Sequence, residues 1–239
     1  MPKEGNRSTL KKKIKAKTVI VGFPGFGLVS TIATGFLIDH LKCEQIGKHW
    51  FEEGVPTLAI HNCTLVDPIG IYYNKKHDVV IIHSIAPVHG LEWKTADLVL
   101  DIARQVGAGE ILTTEGVGSQ APETRGFFYT SNPTHRKNFE KIGIECLGEG
   151  IVVGISSALL MKAEDTDVCC LFAETHSQLP DSKAAAKIIE MLDQYLGLDV
   201  DYEPLLKQAA AFETKLRGII DQASKAKEEK DKKQISYVG

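Results

Sequence analysis

The chain has 239 residues, 43% of them hydrophobic, enough to bury the core of one large domain or two small ones. Its formal net charge of -3 provides no global field for nucleic acid or an acidic surface. Five scattered cysteines (Cys43, Cys63, Cys146, Cys169, Cys170), an odd number with no C-x-x-C, speak against a disulfide framework and a zinc motif, and fit a reducing, cytoplasmic setting.

Residues 1–16 form a basic leader; with Lys17 they hold seven Lys/Arg against one Glu, the pattern of a solvated, flexible terminus. Thr18 to Ile38 is an uncharged run of 21 residues, long enough to span a bilayer. Gly22, Pro24, Gly25 and Gly27 crowd its first half and would break a spanning helix, so the run is expected to be a strand, a turn and a second element rather than a membrane span. "KTVIVGF" (17–23) is a β-branched strand, and Leu28, Ile32, Phe36 and Leu37 recur at helical spacing up to about Leu41. "TLAIHNC" and "IGIYYN" are expected to pair antiparallel, with Asp67-Pro68 in the turn between them. "DVVIIHSIAP" (78–87) is a buried strand, followed by a helix over Glu92 to Val106.

The alternation continues with "EILTTEG" (110–116), a loop, and "FFYT". Asn132-Pro133 then supplies an N-cap and first residue for a helix to about Ile142. "IECLGEG" is expected to be a strand and the latter part of "IVVGISSALLMKA" a helix. "DVCCLFAE" is the last strong strand, its two cysteines buried and inert. Pro180-Asp181 opens a helix bearing Ala185, Ile188, Ile189, Leu192 and Leu196 on one face, and Gly197 stops it. Strands spaced by helices predict a three-layer α/β domain over 17–200, its sheet mostly parallel with helices on both faces.

Beyond this body, Leu205, Ala209, Phe212, Leu216, Ile219, Ala223 and Ala226 follow a 4-3-4-3 spacing, so 201–224 is expected to be a long amphipathic helix. Its stripe, centred on Leu205, Phe212, Leu216 and Ile219, can pack on its own body or between subunits. Residues 225–239 are a charged tether ending in the apolar "QISYVG".

Three strand ends carry glycines: "GFPGFG", "TEGVGS" and "GEGIVVGISS". Glycine suits a tight strand-to-helix turn, and a helix N-terminus there can also bind an anion. The spacing is neither the dinucleotide fingerprint nor a nucleotide P-loop. If the loops meet at one sheet edge, Gly25, Gly27, Glu115, Gly118 and Arg125, with Ser156 and Ser157 nearby, would define a nucleoside- or phosphate-handling enzyme site. "GISSA" is not a nucleophile elbow, because Ala158 takes the last glycine position. Among the scattered histidines, His83 and His89 flank a strand end and are the best site candidates, but read as ordinary loop histidines. "AETHSQLPDS" brings Glu174, His176 and Asp181 close together, with Asp181 as an N-cap. No cofactor, no metal and no catalytic residue is expected.

"VGFPGFGLVS", "TTEGVGS", "GIVVGISSALL" and "AETHSQLPDSKAAAKIIEMLDQYLGLDVDYEPLL" together resemble the proteasome assembly chaperone family, in particular its archaeal members. The resemblance covers nearly the whole body. It implies an α/β fold akin to nucleoside phosphorylases and hydrolases, without an established active site. It also implies self-assembly into a homo-oligomer and, in some members, a C-terminal tail that docks on the proteasome α-ring through a hydrophobic-Tyr-any-residue end. Carried over, that end falls on Ile235, Tyr237, Val238 and Gly239, with proteasome α-subunits as partners. This sequence departs from the pattern. Ser236 replaces the hydrophobic residue, and one extra residue moves the carboxylate by about 3.5 Å in an extended chain.

Overall fold

In the computed structural model, which describes residues 10–204 except 62, 122 and 176–178, together with 206, 207 and 218, the apolar runs pair into one twisted sheet. Its strands are β1 (Thr18–Gly22), β2 (Glu44–His49), β5 (Ile69–Asn74), β6 (Val79–Ser84), β7 (Glu110–Gly118), β8 (Gly126–Thr130), β9 (Glu145–Cys146) and β10 (Asp167–Thr175), in the order β2-β5-β6-β1-β7-β10-β8-β9. β3 (Ala59–His61) and β4 (Thr64–Val66) form a separate two-stranded ribbon.

The four central strands β6, β1, β7 and β10 are mutually parallel, whereas β5 and β8 each run antiparallel to their central neighbour. Their residues alternate between two apolar clusters, as a sheet covered on both faces requires. Ile20, Ile81, Leu112 and Leu171 join one cluster with α1 (Val29–His40) and α5 (Ser182–Leu196). Val19, Ile82, Ile111 and Phe172 join the other with α2 (Glu92–Val106) and α4 (Ile155–Lys162). α3 (Pro133–Lys141) covers the β8–β9 edge, stacking Phe139 on Phe128 with ring centroids 4.8 Å apart.

The helix signals hold where the chemistry is local. Asn132 accepts from the Thr134 and His135 N–H groups, Pro133 is the first residue of α3, and Asp181 caps α5 through the Lys183 and Ala184 N–H groups. Gly197 closes α5 at φ 64°. Cys169 and Cys170 are fully buried, and burial pushes both thiols up to about 12. The run from Thr18 is a strand, a turn and a 12-residue helix, and no helix among the described residues is long and apolar enough to cross a membrane.

Three expectations are corrected. "IGIYYN" does not pair with "TLAIHNC": it lies between β2 and β6, while Ala59–His61 folds back onto Thr64–Val66, the stretch expected to be a turn. β2, "EQIGKH", has one large apolar residue and left no periodic signal. "IECLGEG" is a strand only at Glu145–Cys146. Of the basic leader, residues 10–16 lie against the body, with Leu10 and Ile14 packed on the core and the Lys11 N–H donating to the Ile46 carbonyl at 2.7 Å. The stripe of Leu205, Phe212, Leu216 and Ile219 and the end at Ile235, Tyr237, Val238 and Gly239 lie outside the described residues.

His83 is the next-to-last residue of β6 and is buried, its Nδ1 2.9 Å from the Thr34 hydroxyl, and burial lowers its pKa to about 4. Unfolded, it would charge at about pH 6.5, so the unfolded chain binds the proton first and stability falls as pH drops through that window. Across it the wild type should lose on the order of 3 kcal/mol more than His83→Gln. Urea unfolding at a series of pH values checks this.

Candidate functional site

All the expected ligand residues lie at the carboxyl edge of the parallel strands, where α/β proteins commonly bind ligands. The turn after β1 reaches α1 through a short 3-10 segment, Phe26–Leu28, in which Gly27 has φ 63°. A side chain is disfavoured at that φ, which accounts for glycine there.

The Cβ positions of Gly22, Gly27 and Gly116 are filled from within the chain. A Cβ on Gly22 would fall inside the Thr34 side chain, which leans over it from α1 to reach His83, the neighbour of Gly22 on β6. A Cβ on Gly116 would collide with the Phe26 carbonyl, and one on Gly27 would lie 2.9 Å from the Thr175 hydroxyl. Gly118 faces the Phe26 ring, whereas a Cβ on Gly25 would meet only the Phe23 carbonyl, at 4.0 Å. The Gly27 carbonyl accepts from the Asp181 N–H at 2.9 Å, and the Thr175 hydroxyl donates to Asp181 Oδ2 at 2.6 Å. In this way the ends of β1, β7 and β10 lock together.

Hydroxyls in the first turn of α1 are likewise engaged. Ser30 Oγ lies 2.5 Å from Thr114 Oγ1, which donates to the Val21 carbonyl at 3.1 Å, and the Thr31 hydroxyl donates to the Ser84 carbonyl at 3.3 Å.

Glu115 is separated from this turn by the sheet. It lies in register between Thr114, which faces α1, and Gly116, which faces Phe26, so its side chain projects on the opposite face. There it hydrogen-bonds Ser156 at the start of α4, and burial raises its carboxyl pKa. Ser156 in turn donates to Thr113 at 2.9 Å. Ser157 is half-buried and donates to the Gly154 carbonyl.

Arg125 is spent on Glu174. Nε and Nη2 donate to the two carboxylate oxygens at 3.1 and 3.0 Å, and its backbone N–H adds a third bond at 3.2 Å. The Arg125 hydrogen bond, followed by one from Ser119, holds the Glu174 carboxyl below the usual range. The guanidinium also lies 5.1 Å from the Phe127 ring centroid. Of the trio in "AETHSQLPDS", Glu174 and Asp181 therefore serve two different loops, and His176 is outside the described residues.

The five expected residues thus share an edge without converging on one cavity. An open groove of about 560 Å³ lies next door, lined by Thr124, Asp181, Lys187, Glu190, Tyr202 and Leu206, and none of Gly25, Gly27, Glu115, Gly118 or Arg125 lines it. His83 is core. His49, at the end of β2, is also buried with its pKa lowered by burial, and its Nε2 has no hydrogen-bond partner among the described residues. No sequence motif marks His49, because its burial comes from a strand without apolar periodicity.

Two substitutions test this packing. Gly22→Ala should destabilise by about 1–3 kcal/mol, the usual cost of overpacking, and Thr34→Ala in the same chain should recover only part of it, because the Cβ of residue 34 would still stand 2.8 Å away. Glu174→Gln should lower the melting temperature by about 2–4 °C, a modest shift because Arg125 is 57% exposed and screened by solvent. The gap should close as the pH falls below the ordinary carboxylate range, about 4.3.

Comparison with known proteins places this architecture. A solved structure of Pyrococcus furiosus PbaA, described as an archaeal homolog of proteasome-assembly chaperone, is 28% identical, with a TM-score of 0.79 over 92% of this chain and 99% of that one. P. furiosus PbaB, described as an archaeal proteasome activator, shares the fold at 22% identity, with a TM-score of 0.72 over 90% of this chain and 99% of that one. A Thermoplasma acidophilum protein of unknown function shares it at 22% identity, with a TM-score of 0.83 over 92% of each chain. An uncharacterized protein of Methanocaldococcus jannaschii is 28% identical over 227 residues, 92% of each chain. The family model that matches residues 19–220 is that of the PAC2 family, and the chain belongs to it.

Proposed function

We propose that this protein is a non-enzymatic, homo-oligomeric, cytoplasmic chaperone of the proteasome-assembly type that engages proteasome α-subunits through its C-terminal end. The observation that carries the reading is the likeness to PbaA, which extends over 92% of the chain at 28% identity. The self-filled glycine turns support it as well, since they read as packing that a ligand would have to displace.

The surface supports a protein partner. In the β3–β4 ribbon, Ala59 and Val66 face each other toward the body, and Ile60 and Leu65 face each other on the outer side, 73% and 63% exposed. The outer face of a ribbon in water would ordinarily be polar. Leu58 and Trp50 are exposed as well, and a further group of exposed apolar side chains includes Trp93, Ile151, Val153 and Met161. Exposed side chains of this size are what a protein contact would use, and a homo-oligomer interface would cover them.

The tail reading rests on the sequence. Ile235, Tyr237 and Val238 follow a charged tether, and a short end of this kind can bind a groove by an aromatic anchor and its carboxylate. Deleting residues 234–239 should leave folding and oligomer mass unchanged and abolish co-purification with proteasome α-subunits, and Tyr237→Ala should have most of the same effect. Retained binding after the deletion would refute tail docking. In light scattering at micromolar concentration the wild type should be an oligomer and the Ile60→Glu/Leu65→Glu double variant should have a smaller mass; a monomeric wild type would refute self-assembly.

A further inference from the structure

At the opposite edge of the sheet, where the parallel strands begin, a polar cluster sits that none of the glycine turns touches. Glu110 and Asp167 are register partners at the starts of β7 and β10, and His135 reaches them from the first turn of α3. Donor atoms of Glu110, His135 and Cys169 all lie within 4.8 Å of one another.

We propose that Glu110, His135 and Cys169 form a binding site for a divalent ion of the zinc type, with Asp167 orienting the imidazole. A mixed oxygen, nitrogen and sulfur set suits Zn²⁺ or Co²⁺ and not Mg²⁺ or Ca²⁺, which take oxygen ligands. In a tetrahedral site with the usual bond lengths the ligand atoms stand about 3.3–3.8 Å apart. The Glu110 Oε2–His135 Nδ1 pair is already at 3.4 Å, and the Cys169 thiol, within 4.8 Å of both, would have to draw in.

The partners around the cluster are arranged as a metal site needs. His135 Nε2 lies 3.1 Å from Asp167 Oδ2, and Asn132 Nδ2 donates to that same oxygen at 2.8 Å. A carboxylate on Nε2 fixes the orientation of the imidazole, the arrangement common at metal-bound histidines. The other Glu110 oxygen accepts from the Thr18 hydroxyl at 2.6 Å. The Tyr195 hydroxyl donates to Glu110 Oε2 at 3.0 Å and lies 2.7 Å from His135 Nδ1, so it bridges the two side chains and would swing aside for the ion.

Charge points the same way. Two carboxylates flank one imidazole, and among the described residues no Lys or Arg forms an ion pair with either. Glu110 and His135 keep only 14% and 18% side-chain exposure, so solvent compensates them weakly, whereas Asp167 at 42% leaves an entry path. A divalent ion would supply the missing charge, displacing the Cys169 thiol proton to solvent. Three protein ligands leave a fourth position for water.

The test is a titration of the untagged full chain, stripped with chelator, with Co²⁺. One equivalent should produce a near-ultraviolet thiolate-to-cobalt charge-transfer band, and Zn²⁺ should abolish it by displacement. The band should vanish in Cys169→Ser and persist in Cys63→Ser, while Glu110→Gln, His135→Gln and Asp167→Asn should each weaken Co²⁺ binding by about tenfold or more. Absence of the band in the wild type would overturn the proposal, as would its survival in Cys169→Ser or its loss in Cys63→Ser. Should Cys169→Ser not fold, unchanged Co²⁺ affinity in Asp167→Asn and Glu110→Gln would overturn it equally.

Discussion

Helix α1 can lie directly on the central strand because Gly22 has no side chain. Thr34 fills the space that a Cβ would take, and from there its hydroxyl meets the buried His83 on the adjacent strand. The same close approach recurs one strand over, where Gly116 admits the Phe26 carbonyl. With Thr175 and Asp181 closing the third side, the loops after β1, β7 and β10 are held in one arrangement. Glycines that in related architectures make room for phosphate here make room for the chain itself.

That packing bears on how function divides over the molecule. Glu115 and Arg125 are held by Ser156 and Glu174 on the face away from the Gly27 turn, so neither of these two residues meets that turn. Large apolar side chains stand exposed on the β3–β4 ribbon and at Trp93 and Met161. A body with a locked edge and apolar outer surfaces fits membership of the PAC2 family and a role exercised through contact with other chains.

Much of this was legible from residues alone wherever the cause is local. Asn132 and Asp181 cap helices because their short acceptors reach N–H groups two and three residues on, and Gly197 ends α5 because it accepts a left-handed backbone. The buried central strands announced themselves by continuous apolar runs. β2 did not, since one isoleucine among polar residues carries no period, and its place at the sheet edge was lost with it. The site was less legible. That Glu115 and Gly118 project to opposite faces follows from the two-residue period of a strand, yet which face meets the first turn depends on the strand order. Glu110, His135 and Cys169 are far apart in sequence, so a search for spaced ligand motifs passes over them.

The most direct measurement of the central claim is assembly itself: native mass spectrometry of proteasome α-subunits from the same source, mixed with β-subunits, with and without this chain. The chain should form a defined complex with α-subunits and raise the rate at which assembled rings appear. If no complex forms and the rate is unchanged, while the chain binds nucleosides or phosphate stoichiometrically, the protein is a small-molecule enzyme or carrier and its glycine turns must open to admit the ligand.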